Sequence, residues 1–186
     1  MDQRLDELRK ISSYQTSFPK SGSVASARVA ALRHILNGDS VVLYGPPGTG
    51  KTRLAQELID EIAKTKTVVS DFVQFHQKFG YEDFIEGFKP DGKGGFALLE
   101  GVFKAFCMKA SQNRDSFHIF VIDEFNRTEL STTLGEVLFL MEDRQERRAK
   151  TAHSGTELQI PPNVVIVGTM NTADKTITIM YYALRR

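Results

Sequence analysis

A parallel, doubly wound α/β sheet is the architecture this sequence predicts, and three observations predict it. The runs Val41-Val42-Leu43-Tyr44, His118-Ile119-Phe120-Val121-Ile122 and Val164-Val165-Ile166-Val167 are continuously apolar rather than alternating, as expected of strands covered on both faces. Segments with apolar residues at helical spacing lie between them. A glycine-rich turn, Gly45-Pro46-Pro47-Gly48-Thr49-Gly50, leads from the first run directly into such a segment. Ligands of these sheets collect at the carboxyl ends of the strands, so the residues that follow each run are the ones to watch.

Composition sets the bounds. With 186 residues, 41% of them hydrophobic, the chain can bury a real core within one domain. A formal net charge of +1 provides no global basic footprint, so contact with DNA would be made locally or by regions outside this chain. The single cysteine, Cys107, cannot form an internal disulfide; a packed thiol in a reducing compartment is expected. Met1-Asp2-Gln3-Arg4 is too charged for a signal peptide and no apolar run approaches membrane length, so a cytoplasmic protein without membrane contact is expected.

Taken in order, Leu5, Leu8 and Ile11 suggest a short helix, and the Ser/Pro/Gly stretch to Gly22 a linker, leaving 23–186 as the folded core. A helix from Ser23 to Leu36 would turn Ala25, Val29, Leu32 and Leu36 inward and stop at Asn37-Gly38. The first strand and the glycine turn follow, then a helix with Leu54, Leu58, Ile59 and Ile62 on one face. Thr67 to Phe75 reads as a second strand. The aromatic segment Phe79 to Phe88 reads as packing, since no Lys or Arg is interleaved with its rings. A turn at Pro90 to Gly95 and a helix to about Ala110 come next.

The His118 to Ile122 strand ends in Asp123-Glu124. A helix starting near Asn126, with Glu129 completing a capping box, carries Leu130, Leu134, Val137, Leu138 and Met141 on one stripe. Arg144, Arg147, Arg148 and Lys150 read as a solvated face leading into a hairpin around Ser154-Gly155 that returns through Leu158 and Ile160. The last strand ends in Gly168-Thr169-Met170-Asn171. His34, His76, His118 and His153 lack metal-ligand spacing and are expected to be structural.

Three polar groups then carry chemistry. Gly45, Pro46, Pro47, Gly48, Thr49, Gly50, Lys51 and Thr52 fit the pattern G-x-x-x-x-G-K-[ST]. Its backbone N–H groups and the following helix N-terminus suit phosphate oxygens, with Lys51 reaching the β- and γ-phosphates and the Thr52 hydroxyl ligating Mg²⁺. Asp123, ending a buried strand, suits the same Mg²⁺, and Glu124 suits the orientation or deprotonation of an attacking water. Asn171 ends a strand expected between the other two, where its amide could hold that water or the γ-phosphate. Together they predict binding and hydrolysis of a nucleoside triphosphate.

The same residues carry a family resemblance. Gly45 to Thr52, Asp123-Glu124-Phe125-Asn126-Arg127 and Gly168 to Asp174 resemble the Walker A, Walker B and sensor 1 regions of AAA+ ATPases. Met170-Asn171-Thr172-Ala173-Asp174 resembles more narrowly the McrB group, GTP-hydrolysing motors of modification-dependent restriction systems. Tyr81-Glu82-Asp83-Phe84-Ile85-Glu86-Gly87, Leu134-Gly135-Glu136-Val137-Leu138 and Ala183-Leu184-Arg185-Arg186 point the same way. The likeness implies a P-loop sheet with a helix-2 insertion and a hairpin before the sensor 1 strand. It also implies Mg²⁺ with GTP or ATP, a hexameric homo-oligomer with nucleotide at subunit interfaces, and a McrC-like endonuclease partner. Arg185 and Arg186 would be arginine fingers entering a neighbour's site, Arg127 would face the interface, and Asp174 would belong to the catalytic motif.

Two departures stand out. Tyr181 occupies a position where the family usually has Asp, and the family continues past the arginine pair into a fifth sheet strand and a helical lid. A core truncated at its C-terminal end, binding nucleotide better than it turns it over, is therefore expected. A MoxR-like chaperone ATPase, a small-molecule kinase and a nucleotide-binding assembly module are the competing readings. The phosphate-reading groups do not choose between guanine and adenine.

Overall fold

The computed structural model describes residues 24–142 and 147–172. Eight strands and six helices alternate through it: α1 (Val24–Leu36), β1 (Val41–Gly45), α2 (Lys51–Ala63), β2 (Val68–Gln74), α3 (Tyr81–Phe84), β3 (Glu86–Pro90), β4 (Phe96–Glu100), α4 (Val102–Gln112), β5 (Phe117–Asp123), α5 (Leu130–Leu134), α6 (Glu136–Glu142), β6 (Ala149–Lys150), β7 (Glu157–Leu158) and β8 (Val164–Asn171). Four of the strands make one sheet in the order β1-β8-β5-β2, with every neighbouring pair parallel. The strand ending in Asn171 lies between the strand feeding the glycine turn and the strand ending in Asp123, as the sequence predicts.

Why the central runs are continuously apolar is visible in their two faces. Ile119, Val121, Val165 and Val167 pack against Ala31 and Ile35 of α1 and Ala55, Leu58, Ile59 and Ile62 of α2. Phe120, Ile122, Val164 and Ile166 face the other way, into a larger core with Phe84, Phe103, Phe106, Leu134 and Val137. Successive side chains of a strand point to opposite faces, so both sets must be apolar. The second core is rich in rings: Phe84 stacks on Phe103 at 4.9 Å, and Phe103 meets Phe120 edge-on at 5.1 Å.

Several elements differ from the sequence reading. Helix α1 buries Ala31 and Ile35 rather than the Val29 and Leu36 stripe, which is rotated toward solvent. Its inward face also carries Arg28, which pairs with Glu61 of α2 at 3.3 Å. Residues 96–100 form a strand, not the start of a helix. They pair antiparallel with β3, and this hairpin stands between α3 and α4 as a two-stranded sheet of its own. The aromatic segment divides: Phe79 and Phe84 pack in the core, whereas Phe88 and, beyond the turn, Phe96 are exposed on the hairpin.

The helix expected from Asn126 is broken in two. A 3₁₀ turn over Phe125–Arg127 precedes α5, and Gly135 at φ 47 separates α5 from α6. A Cβ at Gly135 would sit 3.0 Å from the Tyr81 ring, so the break accommodates α3. Glu129 is the N-cap residue of α5 but makes no capping side-chain bond. The hairpin before β8 is present as β6 and β7.

The two hairpins meet over a buried ion pair. Lys104 of α4 donates to Glu86 Oε2 at 2.6 Å, with the side chains 8% and 1% exposed. Glu86 Oε1 accepts the backbone N–H groups of His153 and Ser154, and the Ser154 hydroxyl donates to Oε2. Tyr81 bridges the same junction, donating to Glu136 and accepting the Ala152 N–H. The sequence reading singled out none of these charges.

Candidate functional site

At the carboxyl end of β1 the chain enters the glycine turn, where Gly48 has φ 75 and Gly50 φ 80. Nothing crowds a Cβ at either position, so it is the left-handed backbone, not space, that calls for glycine. Pro46 to Gly50 are exposed, and Thr49 steadies the turn by donating to the Pro46 carbonyl at 2.8 Å. Lys51 begins α2 and folds back over the turn. Its Nζ donates to the carbonyls of Gly45 and Pro46 and to Asn171 Oδ1, at 3.0, 2.8 and 2.8 Å.

Across the sheet, Thr52 Oγ1 donates to Asp123 Oδ1 at 2.7 Å. Asp123 is 7% exposed at the end of β5. Glu124 follows at φ 54 and is the described non-glycine residue with positive φ. Its carboxylate accepts Asn171 Nδ2 at 2.7 Å and pairs with Arg127 at 3.3 Å. Lys51, Asn171 and Glu124 thus form one continuous polar chain, while Thr52 and Asp123 form a pair beside it.

The structure therefore brings together Gly45 to Thr52, Asp123, Glu124 and Asn171. Arg127 is held by Glu124 of its own chain and is 56% exposed, so its side chain is directed back at the site. Asn126 is drawn inward instead of capping a helix, and donates to the Asn171 carbonyl at 3.3 Å. Asp174, Tyr181, Arg185 and Arg186 lie outside the described residues, as do the expected N-terminal helix, the linker and Arg144.

Two further polar groups, in segments that carry the family resemblance but were given no role of their own, reach the site. Thr169 donates to Asp123 Oδ1 at 2.6 Å and accepts the Glu124 N–H at 3.2 Å. Gln74 donates to Asp123 Oδ2 at 3.4 Å, because the β2–β5 register sets Gln74 directly opposite Asp123. Thr169 could have been found by counting two residues back from Asn171; Gln74 required the register.

A hydroxyl and a carboxylate, Thr52 and Asp123, are hard oxygen donors of the kind Mg²⁺ takes. Among the described residues no three His, Cys, Asp or Glu side chains cluster as a metal site. The donor set thus fits an ion that takes its remaining ligands from phosphates and water, as Mg²⁺ does, rather than one held in a protein cage.

Glycine turn, lysine, buried strand-end carboxylate and flanking strand-end asparagine on a parallel sheet define a P-loop nucleoside triphosphatase core. The chain belongs to the AAA domain family, dynein-related subfamily, whose model matches residues 40–186. It is 41% identical over 165 residues to the type IV methyl-directed restriction enzyme EcoKMcrB subunit of Escherichia coli K12, covering 83% of this chain and 35% of that protein. It is 22% identical over 185 residues to the type II restriction enzyme BsuMI component YdiS of Bacillus subtilis 168, covering 78% of this chain and 54% of that protein. The chain thus spans about a third and about half of these relatives. A solved structure from Cytophaga hutchinsonii, described as a candidate ATPase, shares the fold at TM-score 0.51 and 20% identity, over 92% of this chain and 43% of that one. The chain is an AAA+ core of the McrB-like group.

Proposed function

We propose that this chain binds GTP or ATP with Mg²⁺ through Gly45 to Thr52 and hydrolyses it, as the motor core of a restriction assembly. The observation that carries the proposal is the unbroken chain Lys51–Asn171–Glu124 beside the Thr52–Asp123 pair. All three acceptors of Lys51 are neutral oxygens, which a γ-phosphate can replace with full charges. Released from the turn, Lys51 holds the β- and γ-phosphates while the backbone N–H groups of the turn and the α2 N-terminus cradle them.

Thr52 and Asp123 would hold Mg²⁺, which supplies charge neutralisation across the β- and γ-phosphates. Asn171 fixes the Glu124 carboxylate by its Nδ2 and keeps Oδ1 toward Lys51, so the base is aimed at the space beside the terminal phosphate. Glu124 then orients a water and takes its proton as the water attacks. In a homo-oligomeric ring, hexameric by analogy with the family, Arg185 and Arg186 supply charge in trans, worth about 10³ to 10⁵ in rate. Likeness to a subunit of a restriction enzyme supports other subunits of such an enzyme as partners, and the resemblance of Met170 to Asp174 to the McrB group supports a McrC-like endonuclease among them and GTP as a substrate.

A second reading has one observation in its favour. Glu124 is engaged by both Asn171 and Arg127 of its own chain, so its carboxylate is already held and less free to take up a water, and the chain alone would bind nucleotide with little turnover. GTP and ATP binding and hydrolysis, measured side by side with and without Mg²⁺ and with oligomeric state read in the same samples, test both. Glu124→Gln should lower hydrolysis by about 10²- to 10⁴-fold and keep binding; a rate unmoved by that change selects the binding module. No Mg²⁺-dependent nucleotide binding at all would sink both.

A further inference from the structure

Thr169 lies on β8 two residues before Asn171, so the two side chains leave the same face of the central strand. Its side chain is buried, 2% exposed, and its hydroxyl does two things at once. It gives its proton to Asp123 Oδ1 at 2.6 Å and accepts the backbone N–H of Glu124 at 3.2 Å. One atom therefore fixes both residues of the Asp-Glu turn. The turn needs fixing, because Glu124 sits at φ 54, in the left-handed region that residues with a Cβ avoid.

Thr52 also donates to Asp123 Oδ1, but it is exposed on the first turn of α2, next to the loop that must rearrange around phosphate. Thr169 is locked in the sheet between β1 and β5. It is the fixed reference against which Asp123 is oriented. Valine has nearly the same shape and neither hydrogen bond; serine keeps both.

We infer that Thr169 is a positioning residue for Mg²⁺-dependent hydrolysis, its hydroxyl aiming the Asp123 carboxylate at the metal and holding the Glu124 backbone so that its carboxylate reaches Asn171. The inference rests on the proposed nucleotide-hydrolysing reading of the site. It differs from a packing role, which would follow side-chain volume, and from a phosphate-binding role, which would show without metal.

The test uses a fluorescent analogue of GTP and one of ATP, titrated into the wild-type chain, Thr169→Val and Thr169→Ser, with Mg²⁺ and with EDTA. Affinity in EDTA should be the same in all three. In Thr169→Val the Mg²⁺-dependent gain in affinity and kcat should both fall by about 10- to 100-fold, KM for the Mg²⁺-nucleotide rising in step with the lost affinity, and Thr169→Ser should restore most of each. Should the valine variant fail to fold, Thr169→Ala against Thr169→Ser makes the same comparison. A valine variant with wild-type Mg²⁺ dependence and kcat overturns the inference, as does a serine variant that loses as much as valine. A wild-type chain that binds no nucleotide overturns the parent reading and takes this inference with it.

Discussion

Among the described residues, two lysines are buried or half-buried among polar groups, and they are partnered in opposite ways. Lys104, where the two hairpins meet, is bound to a carboxylate, Glu86, whose other acceptor sites are filled by Ser154 and His153. Lys51, at the carboxyl end of the sheet, has two carbonyl oxygens and one amide oxygen and, among the described residues, no anion. A cation matched by an anion is finished as structure. A cation matched by neutral dipoles gains when an anion arrives, because two opposite unit charges attract each other more strongly than a charge attracts a neutral dipole. The difference separates the part of the molecule built to stay from the part built to receive a ligand.

The largest way to break this comparison is at Glu86. Removing one partner of a buried ion pair strands the other, at a cost of about 3–5 kcal/mol. Glu86→Ala should therefore lower Tm by roughly 10 °C in a chain of this size, while nucleotide affinity, measured below the transition, stays at the wild-type value. A stability loss under about 1 kcal/mol in urea denaturation would show that the junction does not depend on the pair.

Lys51→Ala should give the mirror image. Nucleotide affinity should drop by about a hundredfold, or about 2.7 kcal/mol, through loss of the charge-assisted phosphate contacts. Stability should hold steady or rise slightly, since three neutral acceptors near solvent lose little. Calorimetric binding set against thermal melts measures both numbers on one sample. Unchanged affinity would remove Lys51 from the site.

Acid sharpens the contrast next. Burial alone would push the Glu86 carboxyl up, but Lys104, the Ser154 backbone N–H and the Ser154 and Thr151 hydroxyls outweigh it and hold it well below the usual carboxylate range. A carboxyl depressed in the folded state contributes stability that is complete above its unfolded value, 4.5, and is lost only as pH falls through the lower folded value. The gap between wild type and Glu86→Gln should accordingly be whole at pH 5 and above and narrow progressively as pH falls below about 4.5. A gap that closes already between pH 6 and 5 would contradict the proposed balance. Those pH values lie above the unfolded carboxylate range.

How much of this was legible follows from sequence distance. Gly45 to Thr52 are contiguous, so their spacing alone discloses the loop. Asp123, Glu124 and Asn171 were found because each ends an apolar run, and strand ends are where a parallel sheet exposes chemistry. Gln74 shows itself only through the β2–β5 register. At the junction, Glu86 meets Lys104 from 18 residues away and Ser154 from 68, and no local pattern announces either contact. The helix break is similar: apolar spacing runs on through Leu130, Leu134, Val137 and Met141, and the close approach of Gly135 to the Tyr81 ring, far away in sequence, leaves no mark in it.

Tyr81 provides the smallest and most discriminating test, because it belongs to the junction without being charged at neutral pH. Its hydroxyl donates to Glu136 Oε1 at 3.3 Å and accepts the Ala152 N–H at 3.0 Å, tying α3 to α6 and to the hairpin before β8. Tyr81→Phe keeps the ring that Gly135 accommodates and deletes only these bonds, so it should cost about 1 kcal/mol at pH 7 and leave nucleotide binding untouched. Burial, with the nearby Glu136 and Glu86 carboxylates adding to it, pushes the Tyr81 phenol up to about 12, against an unfolded value of 10.0. For a group raised in the folded state, the stability it contributes is whole below the unfolded value and is lost as pH climbs toward the folded one. The wild-type advantage over Tyr81→Phe should therefore shrink between pH 10 and 12 in urea denaturation. If it grows there instead, the phenol ionises more easily folded than unfolded, and the junction is open to water in a way that Glu86 and Lys104 are not.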